Sequence, residues 1–126
     1  MQELIDNAIH MRSRARAPYS RFTVGAAVLT TDGQIIGGCN VESSSYSLTC
    51  CAERVALFRA IAQGHESFQA LAVATDSGGY PCGACRQVIW ELCGDIPVYI
   101  IKNDALVATT SSAALLPEAF DDSDLT

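Results

Sequence analysis

Long apolar runs are missing from this 126-residue sequence. None reaches the 18 or more residues that read as a membrane-spanning helix. The opening Met1-Gln2-Glu3-Leu4 lacks the basic-then-apolar form of a secretory leader. Basic charge is scarce: 8 Lys and Arg stand against 14 Asp and Glu, for a net charge of −6. Proteins that grip DNA or RNA usually carry a basic face. Here the basic residues gather only at Arg12, Arg14, Arg16 and Arg21, a pattern that reads as a solvated helix end. Histidine is limited to His10 and His65, which fall outside every motif. There is no internal repeat and no linker. These absences lead us to expect a soluble, cytoplasmic protein with one domain over 1–126 and neither membrane nor polymeric nucleic acid as partner.

Apolar residues make up 49% of the chain, enough for a buried core without staples. The six cysteines are Cys39, Cys50, Cys51, Cys82, Cys85 and Cys93. With no export signal, a disulfide framework is not expected. Cysteines at short fixed spacing in such a chain suit metal ligation or catalysis.

Hydrophobic spacing predicts a first amphipathic helix over 3–15, within an N-terminal segment 1–17 that Pro18 closes. Two strands are expected at 22–30 and 34–41 around the hairpin signal Asp32-Gly33. A helix over 51–63 ends at Gly64. The apolar run 70–75 reads as a buried central strand, and 82–93 as a helix stopped by Gly94. Strands at 97–101 and 105–110 and a short helix within 111–120 follow, then an acidic tail, 121–126, expected to fray. The order predicts one α/β domain of three layers, α/β/α, around a mixed sheet of about five strands.

Two chemistry-bearing stretches occupy equivalent places in this map. Cys51-Ala52-Glu53 lies at one loop-to-helix junction, and Cys82-Gly83-Ala84-Cys85 at the next. Such junctions line up along one sheet edge, where sites are built. Two helix N-termini aimed there favour thiolates. The CxxC alone leaves three readings open: half a zinc site, a redox dithiol, or two buried cysteines. Cys51 shifts the balance, because three thiolates leave the fourth zinc position open, as in catalytic sites. Glu53, two residues from Cys51, can reach water at such a site without binding the metal, as a proton shuttle does.

The pattern C-A-E…P-C-x-x-C is a zinc-deaminase signature with Cys as first ligand. The chain resembles the small cytidine deaminases of the three-cysteine class. The likeness extends through "YSRFTVGAA" (19–27), "GCNVE" (38–42), "CAER" (51–54), "PCGACRQV" (81–88) and "LLPEAF" (115–120), in family order. Two departures stand out: Thr23 where the family commonly has proline, and Ser47 where it has glycine.

The resemblance implies hydrolytic deamination of cytidine and 2′-deoxycytidine to uridine and 2′-deoxyuridine, releasing ammonia, in pyrimidine salvage. It implies one Zn²⁺ per chain on Cys51, Cys82 and Cys85, with Glu53 as the catalytic proton carrier. Zinc with three thiolates is formally −1, which weakens its hold on a water proton, so compensation is needed. Arg54, and with it Arg86, is expected to supply it. Asn40 and Glu42 are expected to grip the ribose, two positions apart on one strand face. Phe22 is expected to stack on the base, and Ala52 to read it through backbone atoms. Tyr46 and Phe120 resemble residues that reach a neighbouring subunit's site in a homotetramer. Cys50 is expected to be a small packing residue. The alternatives are a deaminase of a modified cytosine compound such as blasticidin S, a structural-zinc binding module, and a thiol redox protein.

Overall fold

A computed structural model describes residues 1–125. The chain forms α1 (Gln2–Met11), β1 (Gly25–Thr30), β2 (Ile35–Cys39), α2 (Ala52–Ala62), β3 (Phe68–Thr75), α3 (Gly83–Cys93), β4 (Pro97–Lys102), β5 (Ala105–Ser111) and α4 (Ser112–Leu115). Single 3-10 turns lie at Arg12–Arg14, Tyr46–Leu48 and Asp122–Leu125. One five-stranded sheet runs β2-β1-β3-β4-β5. Among the four strand pairs described in this sheet, only β3–β4 is parallel. This is the three-layer, mixed-sheet α/β architecture expected from the sequence.

The two faces bury different side chains. On one, Leu4, Ile5 and Ala8 of α1 cover Ala27, Ala70, Ala72, Ala74 and Ile101. Small residues on that face let one helix lie close to four strands, β1 to β4. On the other, Leu57 of α2 and Ile89 of α3 pack with Val28, Leu71, Val73, Val98 and Ile100. Among the described residues no helix is long and apolar enough to cross a membrane.

Glycines set the layer spacing. A Cβ on Gly38 would stand 2.4 Å from the Ala56 nitrogen of α2, and one on Gly25 would stand 2.0 Å from the Ala8 oxygen of α1. Real Cβ atoms do not approach a non-bonded neighbour that closely, so both helices depend on a bare backbone beneath them.

The boundaries differ from expectation where side chains replace regular pairing. The N-terminal helix stops at Met11 and not at 15 or 17. After the 3-10 turn, Arg16 is drawn into an extended pairing: its N–H donates to Asn40 O, and Glu42 N–H donates to Arg16 O. β1 begins at Gly25 and not at 22, because Asn40 holds residues 22–24 away from the ladder. The helix expected within 111–120 spans four residues, capped by Ser111 Oγ accepting from Ala114 N–H and ended just before Pro117. In the tail expected to fray, 122–125 form a 3-10 turn, with Asp121 Oδ1 accepting from Ser123 N–H. Thr126 lies outside the described residues.

Candidate active site

β2 and β3 both run antiparallel to β1, so they run in the same direction. The chain therefore leaves both at the same sheet edge and enters α2 and α3 there. Cys51 and Cys82 are the N-cap residues of those helices, each with extended backbone. Cys85 is three residues on from Cys82 and is buried on the same side of the first turn. One sulfur from each of Cys51, Cys82 and Cys85 lies within 4.8 Å of the others. Cys51 Sγ and Cys82 Sγ are 3.8 Å apart. Tetrahedral zinc, with Zn–S bonds of ~2.3 Å, spaces its sulfurs by about 3.8 Å.

The electrostatics support the same fit. A hydrogen bond from Cys85, followed by Arg54 and Cys82, holds the Cys51 thiol well below the ordinary thiol range, against its burial. Cys85, the donor in that bond and itself buried, is pushed far up. Without a cation the group shares protons; a soft divalent ion would take all three sulfurs as thiolates. Arg54 Nη2 donates to Cys51 Sγ at 3.5 Å. Its own pKa is raised, first by Cys51 and then by Cys85. The guanidinium thus stands beside the Cys51 sulfur, where it would offset thiolate charge.

Glu53 is the second residue of α2 and is only 4% exposed. Burial lifts its carboxyl to about 7, Cys51 adds to the rise, and Arg54 opposes it. It opens on a cavity of about 300 Å³ that also reaches Cys51 and Cys82. Phe22, Val24, Val73 and Tyr80 give this cavity apolar walls. Asn40, Glu42, Ser20, Thr49 and Thr75 give it polar ones.

Asn40 and Glu42 lie just past the end of β2 and not within a strand, yet both face this cavity. Asn40 is buried; its Oδ1 accepts from Val24 N–H at 2.9 Å and its Nδ2 donates to Phe22 O at 2.8 Å. One N–H and one lone pair stay free of those bonds. Glu42 Oε1 accepts from the N–H groups of Tyr19 and Ser20, at 3.0 and 3.1 Å. Its Oε2 accepts from Ser20 Oγ. Phe22 is 40% exposed on the cavity wall. Its segment is gripped from α1's end as well: Arg12 donates to Thr23 O at 3.3 Å and to Thr23 Oγ1 at 3.2 Å. The threonine at this position therefore supplies a hydroxyl for Arg12. Ala52 is fully buried against Ala26 and Ala56, so only its backbone is left for a ligand, at a helix start where N–H groups lack intrahelical partners.

Tyr46 and Phe120 sit apart from the cavity of their own chain. Tyr46 is 77% exposed, edge-to-face with Tyr19, beside an adjoining recess shared with Glu42 and Ser20. Phe120 is 54% exposed, and its carbonyl accepts from Gln87 Nε2. Arg86 departs from expectation. Its guanidinium donates to Pro81 O at 2.7 Å and to Leu115 O at 3.0 Å, and to no ligand sulfur. It braces the turn before Cys82 against α4. Ser47 adopts no positive φ; among the described non-glycine residues that conformation falls on Arg21, Asn103 and Glu118. Cys50 is half-buried, exchanging both backbone hydrogen bonds with Val41.

Sequence reasoning missed Ser20, Thr49, Thr75 and Tyr80. Ser20 lies inside the quoted stretch 19–27 and Tyr80 just before 81–88, but nothing local marks them as cavity residues. Thr75 ends β3, and its Oγ1 accepts from the N–H groups of Gly78 and Gly79.

Comparison with known proteins agrees with this geometry. Residues 1–101 match the family model described as the cytidine and deoxycytidylate deaminase zinc-binding region. The chain is 50% identical to a cytidine deaminase from Sporosarcina psychrophila, covering 99% of this chain and 94% of that one. It superimposes on the crystal structure of a cytidine deaminase from Burkholderia pseudomallei with a TM-score of 0.89, at 48% identity and 94% and 97% coverage. A blasticidin-S deaminase from Bacillus cereus is 32% identical over 97 residues, 69% of each chain. Motif, fold and identity along nearly the whole length agree, and the chain belongs to the cytidine and deoxycytidylate deaminase zinc-binding family.

Proposed function

We propose that this chain is a zinc-dependent aminohydrolase that converts cytidine and 2′-deoxycytidine to uridine and 2′-deoxyuridine with release of ammonia. The carrying observation is a cluster of three cysteine sulfurs, two of which, those of Cys51 and Cys82, line one cavity together with buried Glu53. Cys51, Cys82 and Cys85 would hold the single Zn²⁺. When bound, zinc makes water acidic enough to act as a nucleophile near neutral pH.

The remaining steps belong to protein groups. Glu53, with its carboxyl poised near 7, takes the proton of the incoming water. It passes that proton to N3 of the ring as oxygen adds at C4, then takes the remaining proton from the new C4 hydroxyl and delivers it to the departing amino group. Ammonia leaves and the C4 carbonyl of uridine remains. Phe22 stacks on the base, while the backbone at Ala52 reads its edge. The free amide positions of Asn40 and the Glu42 carboxylate take the sugar hydroxyls. Tyr46 and Phe120, exposed on their own chain, close a neighbouring copy's site in a homotetramer. The 126 residues act as one catalytic domain, placed in cytoplasmic pyrimidine salvage.

The similarity to blasticidin-S deaminase makes one other substrate class worth testing. Glu42 favours a nucleoside, because its fixed carboxylate suits hydroxyl donors. An ultraviolet assay on cytidine, deoxycytidine, cytosine and blasticidin S tests the choice. We expect loss of the 4-amino group from both nucleosides, and none from free cytosine, which offers no sugar. Turnover of blasticidin S alone would overturn the nucleoside reading, and turnover of none would overturn the enzyme.

A further inference from the structure

Ser20 bridges two parts of the cavity wall through one hydroxyl. Ser20 Oγ lies within bonding distance of Glu42 Oε2, and Phe22 N–H donates to the same oxygen at 3.0 Å. The direction of each bond follows from chemistry. An amide N–H can only donate, so the Ser20 oxygen accepts from Phe22. A carboxylate accepts, so the single Ser20 proton goes to Glu42. Ser20 therefore has no donor left for a ligand, although it lines the cavity.

Its backbone reinforces the arrangement. The N–H groups of Tyr19 and Ser20 both donate to Glu42 Oε1, so each carboxylate oxygen is tethered to the 19–20 turn. Arg21 follows with φ of 58°, a left-handed bend that returns the chain so that Phe22 reaches the wall. We propose that Ser20 is a positioning residue that locks the Glu42 carboxylate and the Phe22 backbone into one rigid unit, so that the sugar-binding and base-stacking surfaces are set before the nucleoside arrives. Its effect on substrate rests on the reading of Glu42 as the sugar contact.

The same bond leaves a spectroscopic mark. Ser20 is the leading cause holding the Glu42 carboxyl below the usual carboxylate range. Around Glu42 stand Tyr19 and Tyr46 in the recess, Glu53, Cys51 and Cys82 across the cavity, and Arg16 and Arg21 on the adjoining segment.

The test uses zinc-loaded wild type, Ser20→Ala and Ser20→Thr. Steady-state kinetics on cytidine at pH 7 are measured beside the Glu42 carboxylate titration by carbon-13 NMR. Loss of a pre-formed binding surface is expected to raise KM about tenfold in Ser20→Ala, with kcat within about twofold. The Glu42 midpoint should move up toward the ordinary range, since the bond that favours its charged form is gone. Ser20→Thr keeps the hydroxyl and should restore both. An unmoved Glu42 midpoint in Ser20→Ala, or an unchanged KM, would overturn the proposal. The NMR titration reads the Ser20–Glu42 bond whether or not cytidine is turned over. Inactivity of the wild type would instead count against the functional reading.

Discussion

At the scale of single residues, Cys50 and Cys51 have the same chemistry and adjacent positions but opposite surroundings. Cys51 caps α2, within reach of Cys82, Cys85 and Arg54, and is held toward thiolate. Cys50 is fixed by backbone bonds to Val41, and burial raises its pKa. Cys50→Val should therefore keep one zinc per chain and near-wild-type turnover. Cys51→Val should lose both, read by metal analysis and the ultraviolet assay on the purified variants. Zinc retention in Cys51→Val would remove that residue from the ligand set. The distinction was visible in the sequence through the two-residue spacing from Cys51 to Glu53, since only one of the pair has it. The contacts of Arg86 were not visible. Its place directly after a ligand suggested the thiolates, whereas its helical position turns it to the carbonyls of Pro81 and Leu115, 29 residues away in the second case. Such a partner is set by how α4 folds back, which no local pattern encodes.

Elements show the same division between what is local and what is not. α2 and α3 were legible because each has an N-terminal cysteine and a terminating signal, and both start within one residue of expectation, although α2 buries Ala56, Leu57 and Ala60 and leaves Phe58 and Ile61 exposed. The apolar 70–75 run marked β3 as central, and β3 does lie in the middle of the sheet. The edges of β1 and β2 were overestimated, because Asn40 side-chain bonds take over where the ladder would continue. Gly38 carries a prediction at this scale. Its α-hydrogen faces α2 at the turn that bears Glu53, and a methyl group there would meet Ala52 O at 2.7 Å and Ala56 N closer still. Gly38→Ala must push α2 outward, and overpacking of this kind costs about 1–3 kcal/mol or more. Denaturant unfolding should show that loss, and turnover should fall further than stability alone explains, since the Cys51 and Glu53 end of α2 moves with it. A variant with wild-type stability would show that the layers are not in such close contact.

For the whole molecule, the sheet determines the chemistry. Two strands running in one direction deliver two helix starts to one edge, which gathers cysteines 31 residues apart. Fold class and layer order followed from the alternation of periods along the chain. The cavity did not, because it is closed by Ser20, Thr49, Thr75 and Tyr80 from three separate stretches of chain. Exposed Phe22, Tyr46, Tyr80 and Phe120 leave much aromatic surface on one chain, which fits the proposed assembly of copies around shared sites. Through all of this the central claim is that the cysteine cluster holds zinc while Glu53, held in the protein and not on the metal, moves the proton. The most direct measurement is cytidine turnover by Glu53→Gln with zinc counted in the same sample. The account predicts about one zinc per chain and a turnover reduced at least ~100-fold, the scale of a lost general acid–base group. Turnover near wild type with the zinc in place would contradict it.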